Sequence, residues 1–285
     1  MRSASSTAAT AATVPPADAR AVRTRVVSAL ILAPTALVPA YLGPPVWDVL
    51  VAVMGALMAW EWARLCDGGR LSRVGASSIA ISPLAVAVGL LSGIVPALVL
   101  VGASGVLIGL AARLDGARNP LWLGAGVGYV GLPCLAMAWL RALPGDGLLT
   151  LLWVLALVWA TDTGAYIAGR GIGGPKLAPR ISPNKTWAGL VGGVVAAAAV
   201  GVAAALLVQN VAAWFAVFGS AALAVVEQAG DLLESAVKRH FGVKDSSRLI
   251  PGHGGVLDRV DGLLAVSLAV AALSGAVGHT ILIWR

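Results

Sequence analysis

Residues 231–262 read DLLESAVKRHFGVKDSSRLIPGHGGVLDRVDG. The two ends differ from the middle. DLLESAVKR continues an apolar helical run, and LDRVDG opens another. Between them lies a polar connection with Pro251 and Gly252, then His253-Gly254-Gly255. Five of the chain's 13 acids fall here: Asp231, Glu234, Asp245, Asp258 and Asp261. Lys238, Arg239, Lys244, Arg248 and Arg259 sit among them, with His240 and His253. Asp258 and Asp261 are three apart and share a helix face, as do Asp231 and Glu234. A charged connection between two apolar helices fits the mouth of a membrane bundle.

The composition agrees. The 285 residues are 59% hydrophobic and 12% charged, where soluble domains carry about 25% charged residues. The expected fold class is all-α, a polytopic integral membrane helical bundle. Net charge is +7. Most cations fall in short loops, so orientation and anionic lipid account for them, and no nucleic-acid partner is expected. Cys66 and Cys134 form no CxxC pattern, which argues against a disulfide framework or a zinc site. Residues 1–19 are rich in Ala, Ser, Thr and Pro and read as a disordered N-terminal leader. Arg20, Arg23 and Arg25 precede a run that resembles a signal sequence, but Pro34 and Pro39 break its apolar core.

A spanning helix needs roughly 20 apolar residues. On that template about nine spans are expected, near 26–42, 46–64, 75–91, 94–112, 121–140, 148–168, 188–208, 211–235 and 260–283. Pro83, Gly93 and Pro96 blur the division between the third and fourth. With the N-terminus in the cytoplasm, 18 of 20 basic residues fall on inside segments, leaving only Arg141 and Arg285 outside. The charged regions 170–187 and 236–259 then share the cytoplasmic face. Trp47, Trp60, Trp62, Asp48 and Glu61 bracket the second span and read as interfacial anchors or water-exposed residues.

Carboxylates beside cations at helix mouths point to chemistry on a phosphate. Hard oxygen ligands suit Mg²⁺, which takes one or two carboxylates plus substrate phosphates. Lys and Arg pair the remaining oxygens. Gly254 and Gly255 let backbone N–H groups approach an anion ahead of a helix N-terminus. A solvated loop whose charges only fix topology is the competing reading. The HGG, the paired Asp positions and the apolar flanks weigh against it.

Residues 159–189, WATDTGAYIAGRGIGGPKLAPRISPNKTWAG, are the second informative stretch. Asp162 in an apolar helix wants a metal, a cation or water. Gly169, Gly171 and Gly174 match GxGxxG by spacing, but no strand precedes them, so a membrane-surface loop is the better reading. Ser182-Pro183-Asn184-Lys185-Thr186 reads as a helix start: Ser182 caps, Pro183 suits the first turn, and the next N–H groups face an anion beside Lys185. Glu227 and Asp231 are four apart in another apolar run. Asp231 is the preferred metal ligand, and Glu227 a supporting contact.

Ser235-Ala236-Val237-Lys238-Arg239, Lys244-Asp245 and Pro251-Gly252-His253-Gly254-Gly255-Val256-Leu257-Asp258-Arg259-Val260-Asp261 together resemble the signature of the phosphatidate cytidylyltransferase, or CDP-diacylglycerol synthase, family. Residues 162–187 resemble a second family segment. The likeness covers roughly residues 20–285, read as a single transmembrane catalytic domain. The family usually has an acid after KTW, where this chain has Ala188; that puts a cation contact beside Lys185 in doubt.

The resemblance implies a nucleotidyltransferase that converts CTP and phosphatidate into CDP-diacylglycerol and pyrophosphate with Mg²⁺, a second cation being left open. Asp231, Asp258, Lys185, Lys244 and Arg259 are the expected catalytic residues, with Asp231, Asp258, Asp162 and Asp261 as metal ligands. Ser182, Asn184, Thr186, Lys238, Arg239, Asp245, His253, Gly254 and Gly255 are expected to contact substrate. His253 can instead structure its loop. Lipid would enter laterally from the bilayer and CTP from the cytoplasm, across the cell's inner membrane. A homodimer is a family expectation without an interface signal in the sequence. The rivals are another CTP- or lipid-phosphate-handling enzyme, such as a prenol kinase, and a cation-coupled transporter using Asp162, Glu227 and Asp231. No inverted repeat supports the transporter.

Overall fold

The computed structural model describes residues 31, 33–209, 211–250, 252 and 254–282. The 1–19 leader, residues 26–30 and 32 of the first expected span, Pro251 and His253 lie outside them. A short apolar helix, α1 (Ala33–Leu42), stands where the rest of that span was expected. Then follow α2 (Val46–Cys66), α3 (Arg73–Ser78), α4 (Ile81–Ser92), α5 (Ile94–Leu114), α6 (Pro120–Arg141) and α7 (Gly147–Gly171). After a hairpin come α8 (Trp187–Leu207), α9 (Ala213–His240) and α10 (Leu257–Val277). Counting α3 and α4 as one, eight stretches among the described residues are long and apolar enough to cross a bilayer. They match the remaining expected spans one for one.

Local chemistry sets the breaks. Pro83 has no N–H to donate to the Ile79 carbonyl, so the helix that begins at Arg73 restarts at Ile81. Gly93, at φ +90°, separates α4 from α5 in a conformation that other residues resist.

Two apolar cores form. One gathers α2, α4, α5 and α6 with the start of α10. The other gathers α7, α8, α9 and the rest of α10. Lipid gives helices no hydrophobic reason to associate, so close backbone packing must do it. Gly164 of α7 faces Gly192 of α8, and a Cβ on either would sit 2.6 Å or 2.7 Å from the other's carbonyl oxygen.

Two expectations are corrected. Trp47 and Trp62 are buried rather than interfacial. Their indole N–H groups donate to the carbonyls of Met137 (3.1 Å) and Trp122 (2.7 Å) on α6. Asp48 and Glu61 are buried too, Glu61 at 0% exposure. Ser182 does not cap a helix. Ser182–Thr186 is a strand, β2, paired antiparallel with β1 (Lys176–Ala178), with Lys176 opposite Thr186. The cap is Thr186, whose hydroxyl accepts from the Gly189 N–H at 3.0 Å. The Lys176–Ala178 segment offers Ser182–Thr186 a pairing edge, and that outweighs the local Ser-Pro signal.

Candidate active site

The bundle is polar at one end. α9 has 28 residues, about 42 Å of helix against a hydrocarbon core of about 30 Å. Its C-terminal half carries Glu227, Asp231, Glu234 and Lys238, spaced three or four apart and so stacked on one face. The C-terminus of α7, the hairpin, and the N-termini of α8 and α10 gather round that face.

A cavity of about 610 Å³ opens between α7, β2, α8 and α9. Its polar lining comes from Asp162, Tyr166, Arg170, Asn184, Lys185, Thr186, Gln228 and Asp231. Lys185 reaches across it, with Nζ 2.7 Å from Asp231 Oδ2 and 2.9 Å from Gln228 Oε1. Gln228 donates in turn to Glu227 Oε2 at 2.8 Å. Ser235 donates to the other Asp231 oxygen at 3.3 Å. Arg170 donates to the Tyr166 hydroxyl at 2.8 Å. The α7–α8 contact that shapes the floor depends on Gly169 and Gly189; a Cβ at Gly169 would stand 3.1 Å from Thr186 Oγ1.

Beside this cavity lies a buried clasp. Lys238 pairs with both Glu234 and Asp258, the latter at 2.5 Å. The second Asp258 oxygen accepts from the Ser246 N–H (2.9 Å), the Ser246 hydroxyl (3.0 Å) and the Gly255 N–H (2.7 Å). The Ser246 hydroxyl shares its single proton between Asp258 and Glu61 of α2, 3.0 Å from each, and the Ser247 hydroxyl donates to Glu61 at 2.6 Å. The N–H groups of Val256 and Leu257 donate to the same carboxylate, each at 2.8 Å.

The structure therefore brings together Asp162, Asn184, Lys185, Thr186 and Asp231. Asp258 and Lys238 are each other's partners in the clasp, and the Gly255 N–H points at Asp258. Gly254 accepts from the Ile250 N–H at 2.8 Å. Arg239 donates to the carbonyls of Ile181 (3.3 Å) and Val243 (2.8 Å). Lys244 and Arg259 are exposed at the same end. Asp245 lines a separate cavity of about 510 Å³ with Trp60, Arg64 and Arg248. Ser182 begins β2, away from the cavity lining. His253 lies outside the described residues.

Asp162 of α7 and Asp231 of α9 fit an oxygen-seeking divalent cation: two carboxylates lining one cavity, with space for phosphate oxygens to complete its shell. Asp258 fits less well: its side chain is 4% exposed against 26% for Asp231, and besides Lys238 it holds the Ser246 and Gly255 donors. Asp261 accepts from the Gly262 N–H at 2.8 Å and faces an apolar cavity with Tyr129 and Gly230. Among the described residues no three His, Cys, Asp or Glu side chains meet as a preformed metal cluster. A cation here would share its ligands with substrate.

Three contributors were missed in the sequence: Gln228, Arg170 and Glu61. Gln228 follows Glu227 directly and Arg170 lies in the GRG of the second stretch, so proximity to motifs could have flagged both. Glu61 carries no such signal.

Fold and site together define a polytopic helical membrane protein with an acid-and-lysine cavity at one end of its bundle. The chain belongs to the cytidylyltransferase family, whose sequence model matches residues 23–276. A phosphatidate cytidylyltransferase of Brucella suis biovar 1 (strain 1330) is 40% identical over 260 residues, 90% of this chain and 93% of its own length. One from Pseudomonas aeruginosa (strain PAO1) is 38% identical over 270 residues, 89% and 97% of the two chains. One from Staphylococcus haemolyticus (strain JCSC1435) is 45% identical over 141 residues, about half of each chain at 49% and 53%.

Proposed function

We propose that this chain transfers CMP from CTP to phosphatidate, giving CDP-diacylglycerol and pyrophosphate. The observation that carries the reading is Lys185 bridging Asp231 and Gln228 inside a cavity set at the junction of α7, β2, α8 and α9. A phosphatidate oxygen attacks the α-phosphorus of CTP. The new P–O bond forms as the α–β phosphoanhydride bond breaks, and the electron pair leaves with pyrophosphate. The attacking oxygen is already anionic near neutral pH, so alignment and charge neutralisation do most of the work.

Lys185 and Arg170 hold phosphate oxygens, and Asn184 and Thr186 orient them. Asp162 and Asp231 hold Mg²⁺, which supplies positive charge against the phosphates when bound. Ala165 and Leu190 carry the cavity wall into the apolar surface of α7 and α8. A diacylglycerol body can thus stay in the bilayer while its phosphate reaches Lys185. The loops at this end carry most of the basic residues, and the positive-inside tendency supports a cytoplasmic cavity and N-terminus at the inner membrane. A homodimer belongs to the same reading on family resemblance, and cross-linking in native membranes tests it.

The deciding experiment uses radiolabelled CTP with the purified protein in mixed micelles, with and without phosphatidate and Mg²⁺. Chloroform-soluble label that needs both is the expected result. With the label on the α-phosphorus, label that stays aqueous overturns the reading; γ-labelled CTP that then labels an added prenol favours the kinase, and no lipid label from either favours a transporter.

A further inference from the structure

We infer that Glu61, on α2 and outside both motif stretches, is a positioning residue for cytidylyl transfer, holding the connection before α10 in its working shape. The inference rests on the function proposed above.

The helix α10 starts without a cap of its own. Val256 occupies the capping position and has no side-chain acceptor, so the first N–H groups of the helix need partners from elsewhere. Glu61 supplies them from another helix. Oε1 accepts from Val256 N–H (2.8 Å) and Ser247 Oγ (2.6 Å). Oε2 accepts from Leu257 N–H (2.8 Å) and Ser246 Oγ (3.0 Å). The carboxylate is 0% exposed, and a buried charge is tolerable only when its oxygens are fully satisfied. The positive end of the α10 dipole faces it as well.

The same connection carries the clasp. Ser246 Oγ lies 3.0 Å from both Glu61 and Asp258. Asp258 holds Lys238, seven residues beyond Asp231 on the same face of α9. Glu61 therefore fixes Ser246, Ser246 helps fix Asp258, and Asp258 fixes the end of the helix that presents Asp231 to the cavity. The second glycine of the HGG gains a reason too. A Cβ on Gly255 would lie 2.4 Å from Glu61 Oε1 and 2.0 Å from Ser246 Oγ. Gly255 is thus needed for clearance against Glu61.

The test compares the wild-type protein with Glu61→Gln, Ser247→Ala and the double variant in one detergent. Steady-state kinetics are read per folded molecule, and amide hydrogen exchange at Val256 and Leu257 is read alongside. Glu61→Gln is expected to lower kcat about 10- to 100-fold, as a misplacement near 1 Å does. KM for CTP should move much less, and exchange should rise at Val256 and Leu257 while the spans stay protected. Ser247→Ala should lose less alone and nothing further in the Glu61→Gln background. A wild-type kcat in folded Glu61→Gln overturns the inference. If that variant does not fold, a wild-type kcat in Ser247→Ala does so instead. Failure of the wild-type protein to make lipid product would overturn the function itself, and the exchange arm still reads whether Glu61 holds the connection.

Discussion

Lys185 Nζ stands 2.7 Å from Asp231 Oδ2, tying the hairpin after α7 to the C-terminal half of α9. The pair balances charge inside the cavity, and in the proposed reaction phosphate oxygens would take the lysine and a cation the acid. Asp231→Asn should leave the protein folded and lower kcat about 100-fold or more, the scale of losing a preorganised electrostatic contact. Lys185→Met should do the same. Because both act on one phosphate arrangement, the double variant should lose far less than the product of the single losses. Fully multiplicative losses would separate the two residues.

Asp162 and Asp231 both line the cavity, so each should tune the proposed cation requirement. Asp162→Asn should raise the Mg²⁺ concentration for half-maximal rate by about 10-fold, in line with losing a contact around a metal. A Mg²⁺ titration at saturating CTP reads this directly. Chelator should abolish turnover, and added Mg²⁺ should restore it. An unchanged Mg²⁺ midpoint in Asp162→Asn would remove that residue from the cation site.

The spans were legible because bilayer thickness imposes a length and a composition that few other structures share. The junctions were less so. Ser182-Pro183 carries the residue types of a helix cap, and only pairing with Lys176–Ala178 makes it a strand. Lys185 and Asp231 stand out in the sequence because both lie in recognisable motifs, and the fold brings them into contact. Glu61 was not: its bond to Val256 joins residues 195 apart, and no local pattern marks an acid in an apolar helix as a cap for another helix. Trp47 and Trp62 were misplaced for a related reason. Tryptophan marks an interface by composition, but Gly126 opens a slot on α6 where a Cβ would lie 2.1 Å from the Trp62 ring.

Ala188 is the second residue of α8 (Trp187–Leu207) and does not line the cavity. Ala188→Glu should be tolerated, with activity and thermal midpoint close to the parent. An acid in the first turn is favoured by the helix dipole by about 0.3–1 kcal/mol. Loss of the folded form on detergent size-exclusion chromatography would show that this end of α8 has been rebuilt around alanine.

Asp258→Asn tests the clasp rather than the cation. The amide keeps the shape but loses the charge opposite Lys238, and its NH₂ must face either that ammonium or the Ser246 and Gly255 donors. Lys238 would then rely on Glu234 alone. Breaking a buried pair by neutralising one partner costs about 3–5 kcal/mol, so the thermal midpoint should fall. Turnover should fall further than the loss of folded protein explains, because the connection that frames α9 loses its inner anchor. Asp258→Asn combined with Lys238→Met and Glu234→Gln removes all three charges of the clasp and should recover much of the midpoint without recovering turnover. Recovery of both would mean that the pair serves stability alone. Recovery of neither would mean that Ser246 and Gly255, rather than Lys238, are what Asp258 principally holds.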